Sequence, residues 1–297
     1  TASLDNTAKL WNLQGEALAT LQHSDRVNSA DFSPDSNLIV TASLDNTAKL
    51  WNLQGEALAT LEHSDRVNSA DFSPDSNLIV TASDDQTAKL WNLKGEELAT
   101  LNHTEQVNSA SFSPDGKSIV TASDDQTAKL WNLKGEELAT LNHPQWVNSA
   151  SFSPDGKSIL TASNDPNDRT AKLWNLQGEE LATLYHPDEV ISANFSPDGN
   201  SVVTTSRDET AKLWNLQGEE LATLYHPDEV YDANFSPDGN SIVTASTDGT
   251  ARLWPFPPLS ELTAKACDRV GNYLKYYPDV KESDRDLCDG VPPPKDP

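Results

Sequence analysis

The segment T-A-S-L-D-N-T-A-K-L-W, residues 41–51, recurs with small changes along this chain of 297 residues. Each copy ends in a tryptophan, and successive copies lie 40 residues apart, except for one step of 43. These tryptophans are Trp11, Trp51, Trp91, Trp131, Trp174, Trp214 and Trp254. Residues 1–40 and 41–80 differ at one position only, where Gln22 stands against Glu62. The fold must therefore consist of similar structural units that repeat along the chain.

One complete unit, residues 23–63, predicts four short β-strands separated by turns. Apolar and β-branched residues fill the strand segments, and S-P-D-S, D-N and L-Q-G supply the turns. Val27, Ala30 and Phe32 break strict alternation in the first segment, which predicts a β-bulge there. The predicted strands are residues 27–32, 38–41, 47–51 and 57–61.

A period of this length with four strands in each unit is typical of the blades of a β-propeller. Each unit forms one small twisted sheet, and neighbouring sheets must pack face to face to bury their apolar sides. The sequence therefore predicts an all-β fold. We assign residues 1–255 to a propeller and residues 256–297 to a C-terminal helical extension.

The strand count leaves two ways to close the ring. The chain begins within a unit, continues through five complete units and ends after the third strand of the last. Seven blades follow if the first blade lacks its inner strands, and the seven repeated tryptophans favour this arrangement. Six blades follow if the fourth strand of the N-terminal partial unit completes the last sheet, which leaves residues 7–11 redundant. An incomplete blade would expose an edge that can recruit a second molecule.

The C-terminal extension contains a predicted amphipathic helix and both cysteines. Leu262, Ala266, Val270 and Leu274 lie on one stripe of a helix predicted over residues 261–277. A proline-rich end follows. The two cysteines are either joined in one disulfide or reduced, and they are Cys267 and Cys288.

Charge and composition exclude several classes of partner. The formal net charge is −25, from 46 acidic and 21 basic residues, which argues against nucleic acid and anionic membranes. No apolar run is long enough to span a bilayer, and no signal peptide opens the chain, so we expect a cytoplasmic protein. Methionine is absent, even at position 1, so we expect a piece of a longer polypeptide.

The repeated unit resembles the WD-repeat family over roughly residues 1–255. In that family a histidine, a strand threonine, a turn aspartate and a tryptophan form a hydrogen-bonded network in each blade. The matching sets are His23, Thr41, Asp45 and Trp51; His63, Thr81, Asp85 and Trp91; His103, Thr121, Asp125 and Trp131; His143, Thr161, Asp168 and Trp174; His186, Thr204, Asp208 and Trp214; and His226, Thr244, Asp248 and Trp254. An insertion near residue 165 leaves Asp165 as an alternative to Asp168.

The six histidines do not predict an enzyme, because each recurs with the same partners and a catalytic site is expected only once in the ring. No nucleophile–base arrangement, phosphate-binding loop or metal-ligand cluster stands outside the repeat, so we expect no cofactor and no metal. Only the insertion at residues 164–168 is unrepeated. First-strand side chains that include Asp31 and Asp71 are expected to face the channel, where ordinary solvated walls are favoured over a site that holds water or a cation such as calcium.

Positions that vary between the repeats are those that the fold does not dictate. We call a set of equivalent positions in successive units a column. Three variable columns fall on one rim of the ring, which is the usual binding face of the family and is called the top. We predict a partner-binding surface there, with Trp146 as an aromatic anchor, although drift after duplication would also produce such variation. The predicted residues are Arg26, Asn28, Arg66, Gln106, Trp146, Glu189, Ile191, Arg207, Glu229 and Tyr231.

These observations favour a non-catalytic scaffold or sensor that binds a protein or peptide. Residues 267–275 and 282–290 resemble the end of WD-repeat regions in cyanobacterial multidomain signalling proteins of the STAND or NACHT-like type. This resemblance implies that the propeller is part of a larger signalling protein. Two alternatives stay open: an architectural module that oligomerises through its incomplete blade, and an enzyme with a site at the channel mouth.

Overall fold

The computed structural model describes residues 1–255, which form β-strands joined by short turns. The expected C-terminal helix and the pair Cys267 and Cys288 lie outside these residues. The strands are β1 Thr7–Trp11, β2 Ala17–Gln22, β3 Val27–Phe32, β4 Leu38–Ser43, β5 Thr47–Asn52, β6 Ala57–Glu62, β7 Val67–Phe72, β8 Leu78–Ser83, β9 Thr87–Asn92, β10 Glu97–Asn102, β11 Val107–Phe112, β12 Ser118–Ser123, β13 Thr127–Asn132, β14 Glu137–Asn142, β15 Ser149–Phe152, β16 Ser158–Ala162, β17 Thr170–Asn175, β18 Glu180–Tyr185, β19 Val190–Phe195, β20 Ser201–Ser206, β21 Thr210–Asn215, β22 Glu220–Tyr225, β23 Val230–Phe235, β24 Ser241–Ser246 and β25 Ala251–Pro255.

These strands form antiparallel sheets in chain order, as the repeat predicts. Five sheets contain four strands each, while the first contains β1 and β2 and the last contains β23, β24 and β25. The predicted bulge is confirmed, because the register between β3 and β4 shifts between Val27 and Ser29. The same shift recurs between β7 and β8. The all-β prediction is confirmed for the described residues, none of which forms a helix long and apolar enough to cross a membrane.

The core consists of the joints between successive sheets. At one joint, Val40 and Leu50 of one sheet pack against Phe72, Ile79 and Trp91 of the next. All five side chains are buried. Equivalent clusters repeat along the stack, so each sheet that lies between two others buries one face on the preceding unit and the other on the following unit.

In each four-stranded sheet, the glycine in the turn between the third and fourth strands lies close to the preceding sheet. Gly95 has a φ of +80°, and a Cβ atom added there would lie 3.2 Å from the Cβ atom of Ala59. Gly15 has almost the same φ, +81°, but nothing lies within 4 Å of its added Cβ atom. The turn therefore requires a left-handed backbone everywhere, and it requires a small residue only where a preceding sheet is present.

The two ends of the stack are uncovered in the part of the chain that the structure describes. Phe32 is 54% exposed, whereas its counterpart Phe72 is 4% exposed, because the first sheet lacks the inner strands that would cover Phe32. At the other end, Val243 and Leu253 are exposed. The six-bladed closure is contradicted among these residues, since β2 pairs with β1 and β25 pairs with β24 alone.

Candidate interaction surface

The four repeated polar side chains of each blade lie in hydrogen-bond contact. His63 Nδ1 is 2.8 Å from Asp85 Oδ2, and His63 Nε2 is 2.7 Å from Thr81 Oγ1. Trp91 Nε1 donates to the same Thr81 Oγ1 at 2.8 Å. In the other five units the His–Asp distance is 2.8 to 3.3 Å and the His–Thr distance is 2.7 Å.

The hydrogen-bonding groups of this network are used within the blade. Burial lowers the pKa of His63, so the imidazole is neutral near pH 7 and donates from Nδ1 to the carboxylate. Although burial opposes ionisation, hydrogen bonds from Thr87, the Ser64 amide and His63 lower the pKa of Asp85 to about 2. Every polar atom of the set thus has a partner within the blade, which is a structural arrangement.

In the blade with the insertion, Asp168 occupies the network position. Its Oδ2 atom lies 2.9 Å from His143 Nδ1. Asp165 instead accepts the backbone N–H of Asn167 at 2.7 Å within the inserted turn. The extra residues therefore lengthen the turn and preserve the network.

The asparagine column of the predicted top face contributes to the joints between sheets. The Nδ2 atom of Asn28 donates to the carbonyl of Val67 at 3.2 Å. Asn68 and Asn108 make the same bond to the following sheets at 2.9 Å. Sequence reasoning missed this role, although the recurrence of asparagine in four successive units was a signal that the fold requires it.

Some charged side chains of the top rim form ion pairs and others are exposed to solvent. Arg26 and Arg66 are exposed. Glu189 is half-buried and its Oε2 atom lies 2.8 Å from Arg207 Nε, so this carboxylate has a cationic partner within its own blade. On the remaining side of the rim, Tyr231 is exposed, whereas the predicted residues Glu229 and Ile191 are half-buried.

A groove of about 500 Å³ opens beside Trp146, between the sheet β11–β14 and the sheet β15–β18. The indole is 49% exposed. Residues Thr104, Glu105, Gln106, Asp124, Asp125, Gln126 and Trp146 line the groove. The structure thus brings together two predicted residues, Gln106 and Trp146, with carboxylates that the sequence had not singled out for binding.

Side chains of the first strands contact the neighbouring sheet. Asp71 Oδ2 accepts the backbone N–H of Phe112 at 3.3 Å. Burial raises the pKa of Asp71 to about 6, and the charge of Asp31 adds to this shift. No cluster of three metal-ligating side chains is found in residues 1–255.

Comparisons with known proteins agree with this geometry. The sequence model described as the IFT122 first beta-propeller matches residues 94–257, and the one described as WD domain, G-beta repeat matches residues 15–52 and 55–92. The crystal structure of the computationally designed Ika8 protein superposes with a TM-score of 0.76 at 28% sequence identity, over 86% of this chain and 79% of that chain. A search of curated proteins finds no match.

Proposed function

Since this chain belongs to the WD-repeat β-propellers, whose domains generally mediate protein–protein interactions, we propose that it is a non-catalytic module that binds a protein or peptide segment on its top face. The observation that carries this proposal is the groove beside Trp146. Its indole is exposed at a position where the other units carry Arg, Gln or Glu, so the fold does not require it. A large exposed aromatic ring beside a concave surface is a favourable anchor for a partner.

The network histidines support a binding role over an enzymatic one. Each of the six is hydrogen-bonded to its aspartate and its threonine, and the arrangement repeats in every complete set. Removing one partner would leave a buried polar group unsatisfied at a cost of about 1–3 kcal/mol. These side chains are therefore explained by stability alone.

A selection from a displayed library of random twelve-residue peptides tests this function. The selected peptides are expected to bind the chain and to lose at least tenfold in affinity with Trp146→Gln, which introduces the residue present at position 106. Lys117→Asn is the matched control, because Lys117 lies in an exposed turn at the opposite rim and asparagine stands there in four other units. Peptides that bind equally well to top-face variants at Trp146, Arg66 and Tyr231 would contradict the proposal.

Self-association is a second candidate function, favoured by the uncovered ends of the stack. Phe32 at one end and Leu253 at the other are exposed, whereas their counterparts Phe72 and Leu90 within the stack are buried. A seven-bladed ring whose first blade is completed by strands of another molecule would bury both. Light scattering at two protein concentrations tests this: a mass that rises with concentration supports it, and a constant mass near 32.3 kDa contradicts it.

The wider setting stays a prediction from the sequence. Membership of a larger signalling protein of the cyanobacterial STAND or NACHT-like type rests on residues 267–290, and a cytoplasmic location rests on composition. The division at residue 255 is likewise a prediction from the sequence. Partial proteolysis tests that division, because a stable fragment ending near residue 255 is the expected product.

A further inference from the structure

The groove beside Trp146 carries negative charge without a compensating cation. Three of its seven lining residues are carboxylates, and none is lysine or arginine. Asp125 is bound to His103, but Glu105 is exposed and Asp124 is half-buried. Carboxylates that face a concave surface raise the local concentration of cationic groups. The groove therefore has the charge of a site for a basic side chain.

Asp124 is oriented by neutral donors that leave its charge in place. Gln106 Nε2 donates to Asp124 Oδ2, and Asn108 Nδ2 donates to Asp124 Oδ1, both at 2.6 Å. A carboxylate offers about four acceptor positions, so further donors can still be accepted. In the preceding unit the residue that corresponds to Gln106 is Arg66, and in a later unit Glu189 is paired with Arg207. The unit that contains Asp124 has no such arginine.

The indole of Trp146 lacks the cation that the repeated tryptophans have. In six units a lysine ammonium lies over the tryptophan ring, as Lys129 does over Trp131 at 5.4 Å from the centroid. Within residues 1–255 no lysine or arginine lies over Trp146 in this way. A cation within about 6 Å of an indole centroid is attracted by the ring, and the effect is greatest for tryptophan.

We propose that this groove binds an arginine side chain of a partner peptide, with the guanidinium stacked on Trp146 and hydrogen-bonded to Asp124 and Glu105. The planar guanidinium suits both contacts, because it stacks on aromatic faces and bonds carboxylates through two parallel N–H groups. The inference rests on the proposed top-face function and names the chemistry that the face recognises. The overall charge of −25 favours the approach of such a basic segment.

Titration of short peptides into the isotope-labelled chain tests this inference by NMR. The probes are capped Gly-Gly-X-Gly-Gly peptides in which X is arginine, lysine, citrulline or glutamate. The arginine peptide is expected to shift the indole N–H signal of Trp146 saturably and to bind most tightly. Citrulline, which keeps the shape and loses the charge, is expected to bind at least about tenfold more weakly, since charge-assisted hydrogen bonds are about twice as strong as neutral ones.

Two variants separate this site from a general attraction to an acidic protein. Asp124→Thr, which introduces the residue found at position 247, is expected to lower the affinity for the arginine peptide about tenfold. Asp84→Thr makes the same change of charge in the preceding unit and is expected to leave binding unchanged. Thermal melting of both variants establishes that the fold is intact, and Glu105→Gln serves in place of Asp124→Thr if that variant is unstable.

The outcomes distinguish this inference from the proposed function. Equal binding of arginine and citrulline peptides, or an equal effect of Asp84→Thr and Asp124→Thr, overturns the arginine site. If library peptides without a basic residue bind at Trp146 and are unaffected by Asp124→Thr, the inference fails and the top-face function stands. If no library peptide binds the chain, both fail.

Discussion

The sheet β7–β10 inside the stack and the sheet β23–β25 at its end carry nearly the same residues in different surroundings. Leu90 in A-K-L-W is 1% exposed, whereas Leu253 in A-R-L-W is 71% exposed. The difference comes from the neighbour, since Leu90 packs against the following sheet and Leu253 has no such sheet over it in the described residues. The apolar face is thus encoded in the unit, whereas its burial depends on the next unit.

The largest expected effect comes from truncating these two leucines. Leu90→Ala leaves a cavity between two sheets and is expected to lower the free energy of unfolding by about 2–5 kcal/mol. Leu253→Ala removes a side chain that is already exposed and is expected to change it by no more than about 0.5 kcal/mol. Urea denaturation followed by circular dichroism measures both. A large loss for Leu253→Ala would show that this face is covered in solution.

The first-strand aspartates Asp71 and Asp31 are expected to give a smaller difference in stability, and one that depends on pH. Because the pKa of Asp71 is raised to about 6, the folded state binds its proton more tightly than the unfolded chain does. The contribution of Asp71 to stability is therefore most favourable below about pH 4 and is lost as the pH rises through 6. Asp71→Asn is expected to stabilise the protein by about 1–2 kcal/mol at pH 8 and not at pH 4, after allowance for the partial exposure of the group.

Asp31 is the matched control for this experiment. Partial burial raises its pKa as well, but Asp31 lies beside the incomplete first sheet and is more exposed to solvent than Asp71. Asp31→Asn is therefore expected to give a smaller gain at pH 8. Unfolding midpoints in urea at both pH values measure the difference, and a gain that is independent of pH for Asp71→Asn would contradict the assigned titration.

The smallest effect concerns the hairpin glycines. Gly15→Ala and Gly95→Ala both place a side chain in a left-handed backbone, which is expected to cost about 1 kcal/mol in each case. Gly95→Ala adds a contact of 3.2 Å to Ala59 Cβ, which a separation of the sheets by a few tenths of an ångström relieves, so the additional cost is expected to stay below about 1 kcal/mol. Equal unfolding midpoints in urea for Gly15→Ala and Gly95→Ala would show that the two sheets separate enough to accept the added methyl group at no cost.

Features that depend on one unit could be predicted from the sequence. The strands and the bulge at Val27 and Ser29 follow from local spacing, and the partnership of a histidine, threonine, aspartate and tryptophan follows from the resemblance of the unit to WD repeats. They could be read from a single copy of the repeat because each strand pairs with its own neighbours in the chain.

Features that depend on two units could not be predicted in the same way. The variable columns indicate Trp146 and Gln106 as binding residues. The groove also needs Glu105 and Asp124 from the blade that precedes Trp146. A comparison of repeats cannot show this, because it does not reveal which residues of neighbouring blades face each other. The sequence predicts partner binding for Asn28 because its column changes to isoleucine and tyrosine later in the chain. The bond from Asn28 to Val67 is visible only with the packing of the sheets.

The bonds from Asn28, Asn68 and Asn108 also bear on how such a chain can grow. Each amide bonds a main-chain carbonyl of its successor, a group that every residue possesses. A copied unit needs no matching change in the unit beside it, so gene duplication can lengthen the array without loss of fit. The single difference between residues 1–40 and 41–80 is what such a copying event leaves behind.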